Sequence, residues 1–177
     1  MPLEISITED DVMAALRAFI IDIVPSGVEV FQGQGNRVPE PRGVDFIVMT
    51  PMNRLRLSTN TVDWARDDDD ATQLDHSHDT QFMVQLDLHG PAGSDHASIV
   101  ATLIRDEYAV EAMDGTGVTP LYATDGNQVP FINGEHQYEN RWVMTIALQI
   151  VPIVSTPQQF AATLTPVIAP ALGGLIA

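Results

Sequence analysis

Apolar residues recur at two different spacings along the chain, and the two spacings predict two kinds of element. Residues 9–24 place apolar side chains every three or four positions after Thr8 and an acidic first turn, which predicts a capped helix. Residues 81–89 alternate polar and apolar side chains, which predicts a half-buried strand. The helical spacing within residues 94–113 predicts a second helix, with Ser94 as its cap.

Shorter patterns predict the remaining elements. Turn residues and alternation indicate further strands at residues 28–31, 45–52, 55–62, 121–123 and 138–150, with a Gly- and Pro-rich loop over 32–43. The strands 45–52 and 55–62 are expected to form a hairpin that turns near Asn53. The order of helix, strands, helix and strands predicts an α+β fold, a mostly antiparallel sheet flanked by two helices.

The domain organisation follows from where charge is concentrated and where it is absent. Residues 63–79 carry a run of four aspartates and two histidines, and they are interpreted as an acidic, solvated loop. That loop lies inside one predicted domain, residues 1–154, because no linker or repeat divides the chain. Residues 155–177 are interpreted as an uncharged C-terminal interface segment.

The last fifth of the chain contains no charged side chain. Every residue from 142 to 177 is uncharged, and the stretch is rich in Val, Ile and Leu. Such apolar surface predicts a core strand followed by a segment that another surface covers. A membrane anchor is the rival explanation, but prolines at 152, 157, 166 and 170 interrupt every window of roughly 20 residues that could span a bilayer.

Net charge limits the possible partners. The 177 residues include 24 acidic and 8 basic side chains, all of the latter arginine, for a formal net charge of −16. A grip on duplex DNA needs clustered basic residues, so specific nucleic-acid binding is not expected. Arginine suits fixed pairing with carboxylates, and such pairs are expected at protein contacts. The first seven residues lack the features of a secretory signal, which predicts a protein that stays in the cytoplasm or in a particle assembled there.

One cluster has the residue types of a metal site. His76 and His78, flanked by Asp75 and Asp79, could ligate a divalent metal and serve a metal-dependent hydrolase. Their polar surroundings indicate a charged loop tip instead. Cysteine is absent, and no pair of carboxylates stands out among so many. The sequence therefore predicts no enzyme activity, no catalytic residue, no cofactor and no metal.

Three motifs carry a resemblance to a known family. They are QGQGNRVP at residues 32–39, LHGP at 88–91, and PFINGE at 130–135, the last followed by Tyr138, Arg141 and Trp142. Together they resemble the neck and tail-terminator proteins of long-tailed bacteriophages, over about residues 8–152. The resemblance implies an α+β subunit of the virion, assembled in the host cytoplasm.

The same resemblance implies a structural function. Members of this family form a ring, expected to be a hexamer, that caps the tail tube and joins the tail to the head connector. The implied partners are other copies of the chain, the tail tube protein, neck or connector proteins and, in some phages, the sheath. DNA would pass through an acidic ring without binding. A tube or sheath-associated structural protein is the alternative, besides the hydrolase that would use His76, His78 and Asp79.

The resemblance also implies which residues lie at the contacts. Several positions match the family pattern and are expected to hold loops at the junctions with other subunits or with the neck. They are Asn36, Arg37, Pro130, Phe131, Asn133, Gly134, Tyr138, Arg141 and Trp142.

Overall fold

A computed structural model of the chain describes residues 3–35, 41–66, 72–132 and 138–157. In that part of the chain the elements are α1 (Glu9–Ile23), β1 (Glu29–Gln32), β2 (Phe46–Arg56), β3 (Thr61–Arg66), β4 (Thr72–Ser77), β5 (Thr80–His89), α2 (Gly93–Leu103), α3 (Glu107–Ala112), β6 (Val118–Ala123), β7 (Asn127–Gln128), β8 (Phe131–Ile132), β9 (Tyr138–Glu139), β10 (Arg141–Ile150) and β11 (Ile153–Pro157).

Helix α1 begins where the sequence predicts it. The Asp11 backbone N–H donates to Thr8 Oγ1 over 3.2 Å, and the Thr8 N–H donates to Asp11 Oδ2 over 2.8 Å. These reciprocal bonds satisfy two backbone donors that a helix start otherwise leaves without a partner. The Thr8 hydroxyl also donates to Asp11 Oδ2 over 2.6 Å, and this bond together with that of the Thr8 N–H favours the charged carboxylate, so the pKa of Asp11 lies below its ordinary value. Local chemistry alone therefore fixes this end of α1.

Five strands form the main sheet in the order β1-β2-β5-β10-β6, and β7 also pairs with β10. Strand β1 runs parallel to β2, whereas β5 and β10 form antiparallel ladders with each neighbour. Strand β5 is thus bordered by β2 and β10 from His89 to Thr80. The architecture confirms the predicted α+β fold and mostly antiparallel sheet, with α3 as a short third helix.

The core lies between the main sheet and helices α1 and α2. Alternate residues of β5 and β10 face the helices, because side chains of a strand point to opposite faces in turn. On the helix side, α1 contributes its apolar stripe and α2 contributes Ala97 and Val100. The buried residues that share this face are Phe82, Val84, Leu86 and Leu88 of β5 and Met144, Ile146, Leu148 and Ile150 of β10.

Three strands continue beyond the main sheet as a second sheet, which we call the arm. Its order is β11-β4-β3, and each arm strand extends a main-sheet strand, β3 after β2, β4 before β5, and β11 after β10. The Leu57 N–H donates to Asp79 O over 2.9 Å where β2 gives way to β3. At the outer edge of β11, Ser6 bonds Ile153 through both backbone groups of Ile153. The arm is therefore a continuation of the central ladder.

The predicted hairpin over residues 45–62 is wrong. Phe46–Arg56 is a single strand that pairs with β5 throughout, and its register shifts between Pro51 and Asn53. A bulge of this kind absorbs an extra residue without reversing the chain. The turn signal at Asn53 therefore marks an irregularity in a long strand.

The acidic loop predicted over residues 63–79 is also corrected. Strand β3 ends at Arg66, and β4 covers Thr72–Ser77. Val62, Trp64 and Leu74 alternate with polar residues, and this alternation outweighs the high charge. The aspartate run at residues 67–70 lies outside the described residues. The predicted boundary at residues 154/155 falls inside β11.

The second predicted helix is two helices. Helix α2 ends at Leu103, and α3 begins after Asp106, whose carboxylate accepts the Tyr108 N–H over 3.0 Å. A cap inside the predicted span therefore begins a separate helix. Ser94 lies within α2 and is not its cap, since the N-cap is Ala92 and makes no side-chain cap bond. The predicted strand over residues 138–150 is divided into β9 and β10.

Leu86→Ala tests the core at the centre of β5. Leu86 is fully buried, so removing three carbons leaves a cavity between sheet and helices. We expect the free energy of unfolding to fall by about 2–5 kcal/mol, measured by urea denaturation. The matched control is Leu55→Ala in β2, where the side chain is 53% exposed and a change within about 0.5 kcal/mol is expected. Equal losses in both variants would contradict this placement of the core.

Candidate functional site

Two of the motifs singled out in the sequence meet at one end of the main sheet. The register pairs Arg141 with His89 and Trp142 with Leu88, so the start of β10 lies beside the end of β5. Phe46 pairs with His89 from the other side, at the start of β2. We call this region, where β2 and β10 begin and β5 ends, the sheet end. It brings residues 88–91 and 141–142 into direct contact.

Because Gly90 has no side chain, the chain can turn away from the end of β5 and still pack closely against the neighbouring segments of the sheet end. Its φ is +98°, a conformation that L side chains rarely adopt. A Cβ at this position would overlap the Val44 carbonyl oxygen and the Asp45 carboxylate. The Gly90 N–H donates to Asn140 O over 3.0 Å, and the Asp45 carboxylate accepts the Ala92 N–H over 2.9 Å. The glycine of the LHGP motif is therefore required by the packing of three chain segments.

Arg141 pairs with a buried carboxylate of its own chain. Its Nε and Nη2 lie 2.9 and 2.6 Å from Asp87 Oδ1. The other oxygen, Asp87 Oδ2, accepts from Gln85 Nε2 over 2.9 Å. The Asp87 side chain is only 8% exposed, and a buried carboxylate is costly unless it is paired and hydrogen-bonded. The pair thus ties β10 to β5 on the sheet face opposite the helices.

His89 completes this side of the sheet end. Its ring stacks on Phe46 with centroids 4.4 Å apart and an angle of 6° between the planes. Burial lowers the pKa of His89, the positive charge of Arg141 lowers it further, and Asp87 and Glu139 oppose the shift. The neutral imidazole is therefore the form that fits beside Phe46.

Trp142 faces the opposite side of the sheet from Arg141, because adjacent strand residues point to opposite faces. The indole lies beside α2, where an ideal Cβ on Gly93 would lie 3.3 Å from Trp142 Cδ1. It lines an open groove of about 530 Å³ together with small residues of α2 and the loop before β7. The small residues here are Ser94, Ala97, Ser98, Ala101 and Gly126.

Of the remaining predicted contact residues, the structure describes only Pro130, Phe131 and Tyr138. Tyr138 is 81% exposed and pairs through its backbone with Ile132 in the β8–β9 hairpin. Phe131 opposes Glu139 in the same hairpin, and Pro130 precedes it. The other predicted positions, Asn36, Arg37, Asn133 and Gly134, lie outside the described residues. Tyr138 therefore presents an exposed aromatic side chain among the described contact candidates.

Three of the four residues proposed for a metal site, His76, Asp75 and Asp79, are engaged in other contacts. His76 Nε2 lies 3.2 Å from Thr156 Oγ1, and Asp79 Oδ1 accepts from Gln149 Nε2 over 2.9 Å. Ser155 Oγ donates to Asp75. Over residues 3–35, 41–66, 72–132 and 138–157, no group of three or more His, Asp or Glu side chains is arranged to hold a metal ion. The described helices also include none that is long and apolar enough to cross a membrane.

Comparison with protein families decides the identity. The family model described as phage neck terminator protein matches residues 10–170. The chain belongs to the phage neck terminator protein family. This family is structural, so the protein is a component of the virion tail or neck. The prediction of a non-enzymatic structural protein is therefore confirmed. A comparison with curated proteins found no match.

Family membership implies that the terminator associates with other tail or neck components. The sequence singled out Arg141 and Trp142 at the sheet end but not Asp87, the acid that Arg141 requires. Asp87 precedes Arg141 by 54 positions and is one acidic residue among 24. Its one distinguishing signal is its position within the alternating apolar pattern of β5.

A double-mutant cycle on Asp87 and Arg141 tests whether their pairing is needed at the sheet end. In Arg141→Gln the buried Asp87 carboxylate loses its positively charged partner. We therefore expect the free energy of unfolding to fall by about 3 kcal/mol. Adding Asp87→Asn should recover a large part of that loss, which denaturation of the four proteins measures. The comparison cycle uses Arg54 and Glu9, whose exposed pair at 3.5 Å should couple by less than about 1 kcal/mol. Equal coupling energies in the two cycles would contradict the role assigned to Asp87.

His89 predicts a dependence of stability on pH. Because its pKa is lower in the folded terminator than in the unfolded chain, the unfolded chain takes up the proton first as pH falls. The contribution of His89 to the free energy of unfolding is fully present above the pKa that His89 has in the unfolded chain. It is lost as pH falls toward the pKa that His89 has in the folded protein. Unfolding measured from pH 7 to 5 should therefore show a smaller loss of stability in His89→Gln than in the parent protein. Parallel curves for the two proteins would contradict the assignment.

Proposed function

We propose that six copies of this terminator close into a ring at the head-proximal end of the tail tube. In this proposal the ring ends tube growth and joins the tail to the neck. The observation that carries it is the match to the phage neck terminator family over residues 10–170. The uncharged segment over residues 155–177 is proposed to supply the surface through which highly acidic copies approach each other.

The sheet end is the proposed contact region with neighbouring subunits or the neck. Tyr138 contributes an exposed aromatic side chain, the kind enriched at protein interfaces. Phe131, Asn36, Arg37 and Asn133 are proposed to act with it, as the family pattern implies. For Arg141 and Trp142 we propose an indirect part, because their contacts within the chain support the loops that would be presented to a partner.

The negative charge of the subunits supports the proposal that DNA passes through the ring without binding to it. Six copies would carry a formal charge of −96, which is six times −16. Arg54, Arg105 and Arg141 each pair with a carboxylate of the same chain, so their charges are already compensated. A channel wall built from such subunits repels phosphates and offers few counterion-releasing contacts.

The first experiment measures the mass of the purified protein by light scattering over a concentration series, with and without tail tubes, and images the fractions by electron microscopy. We expect a species of about 116 kDa, six times 19.3 kDa, seen as closed rings or as caps on tube ends. Tube growth should stop when the protein is added. Polymerisation of this chain into long tubes would favour a tube protein instead. A monomer that neither binds tubes nor limits their length would refute the proposal.

A further inference from the structure

The arm has two chemically different faces. In an antiparallel sheet, residues directly opposite each other lie on the same face. The register places Trp64 opposite Leu74, and the next pair on that face is Val62 with His76. Strand β11 adds Val154 opposite His76. We call this surface the apolar face of the arm. On the opposite face, Asp63 of β3 lies across from Asp75 of β4.

The polar groups on the apolar face bond to each other. His76 Nε2 and Thr156 Oγ1 are 3.2 Å apart, and Thr156 Oγ1 also donates to the Leu74 carbonyl over 3.3 Å. Ile5 extends the row, since it bridges Val154 from the outer edge of β11. His76 Nε2 and the Thr156 hydroxyl therefore have hydrogen-bond partners within the arm and need fewer bonds to solvent.

This face is exposed in the single chain. Trp64 is 61% exposed and Val62 is 47% exposed, and both lie on β3, an edge strand of the arm. A contiguous apolar surface that includes an exposed tryptophan marks an interaction site more often than a solvated surface. The residues described in the structure leave Trp64 and Val62 exposed, so a surface from outside those residues is needed to cover them.

We propose that the apolar face of the arm binds residues 158–177 of a second copy of the chain. This inference rests on the proposed association of copies and names the contact between them. The bound segment contains Phe160, Leu164, Val167 and Ile168, and it has no charged side chain. Two molecules with a net charge of −16 repel each other. An uncharged segment can approach an arm that carries Asp63 and Asp75 without adding side-chain repulsion.

Chain length allows the contact. Residues 158–177 follow β11 directly, and Pro157 pairs with Gln73 at the end of the arm that leads to residues 67–71. Twenty residues reach about 30 Å as a helix and up to about 66 Å when extended. Three strands spaced about 4.8 Å apart make the arm about 10 Å wide between its outer backbones. The segment is therefore long enough to leave its own arm and cross the apolar face of a neighbour.

Disulfide trapping tests this contact, and the absence of cysteine makes the background clean. One copy carries Trp64→Cys and a size tag, and a second copy carries Ile168→Cys. The two full-length proteins are mixed, assembled under the conditions that give rings, and oxidised. We expect a disulfide between tagged and untagged chains at a yield at least about fivefold above that of the control. The matched control is Asp63→Cys, the neighbouring position on the opposite face of β3.

Fluorescence gives a second readout that does not depend on a new covalent bond. Trp142→Phe leaves Trp64 as the single tryptophan of the chain. Its emission should shift to shorter wavelength on assembly, because burial removes water from the indole. A variant in which Phe160, Leu164, Val167 and Ile168 are replaced by serine keeps the length of the segment and should show no shift.

The outcomes separate this inference from the proposed function. Rings that form with equal cross-linking at positions 63 and 64, and with no fluorescence shift, would overturn the arm contact and leave the ring intact. A disulfide that forms only within a chain carrying both Trp64→Cys and Ile168→Cys would also overturn it, since the segment would then cover its own arm. Failure to associate under any condition, tail tubes included, would overturn both proposals.

Discussion

The antiparallel pairing of β5 with β2 and β10 positions the core, the sheet end and the arm. From Thr80 to His89, β5 has a hydrogen-bonded neighbour on each side, so its register fixes the positions of both. One consequence is the core, because alternate residues of these strands face α1 and α2. Another is the sheet end, where the same register places Arg141 beside His89. A third is the arm, which continues the three strands in the same order.

Charge is distributed in a way that suits assembly of an acidic protein. Three arginines pair with carboxylates of their own chain, and the most buried of these pairs, Arg141 with Asp87, links the start of β10 to β5. The negative charge that remains keeps copies apart unless they meet through uncharged surfaces. In the proposed assembly, the apolar face of the arm meets the uncharged residues after 157 of another copy, in a protein whose family is structural. Attraction between copies would then be confined to a small part of the molecule.

The sequence predicted the elements that local signals control. Helix α1 has its cap and apolar stripe within one short stretch, and β5 has a complete alternation, so both were correctly predicted. Strand β2 was not, because pairing with β5 overrides the turn signal at Asn53. The strands of the arm were missed because the charge of residues 63–79 obscured the alternation of Val62, Trp64 and Leu74.

The candidate site was predictable to a lesser degree. The family resemblance directed attention to Arg141 and Trp142, but a single sequence does not indicate that they face opposite sides of the sheet in different surroundings. That distinction depends on where β10 begins, and on Asp87, a residue far away along the chain. Long-range pairing, unlike a helix cap, leaves no local signal.

Electron cryomicroscopy of intact tails would count the copies of this protein and show where they lie. We predict one ring of six subunits at the head-proximal end of the tube, with each arm in contact with an adjacent subunit. Copies repeated along the length of the tube, or density for this protein absent from that end, would contradict it.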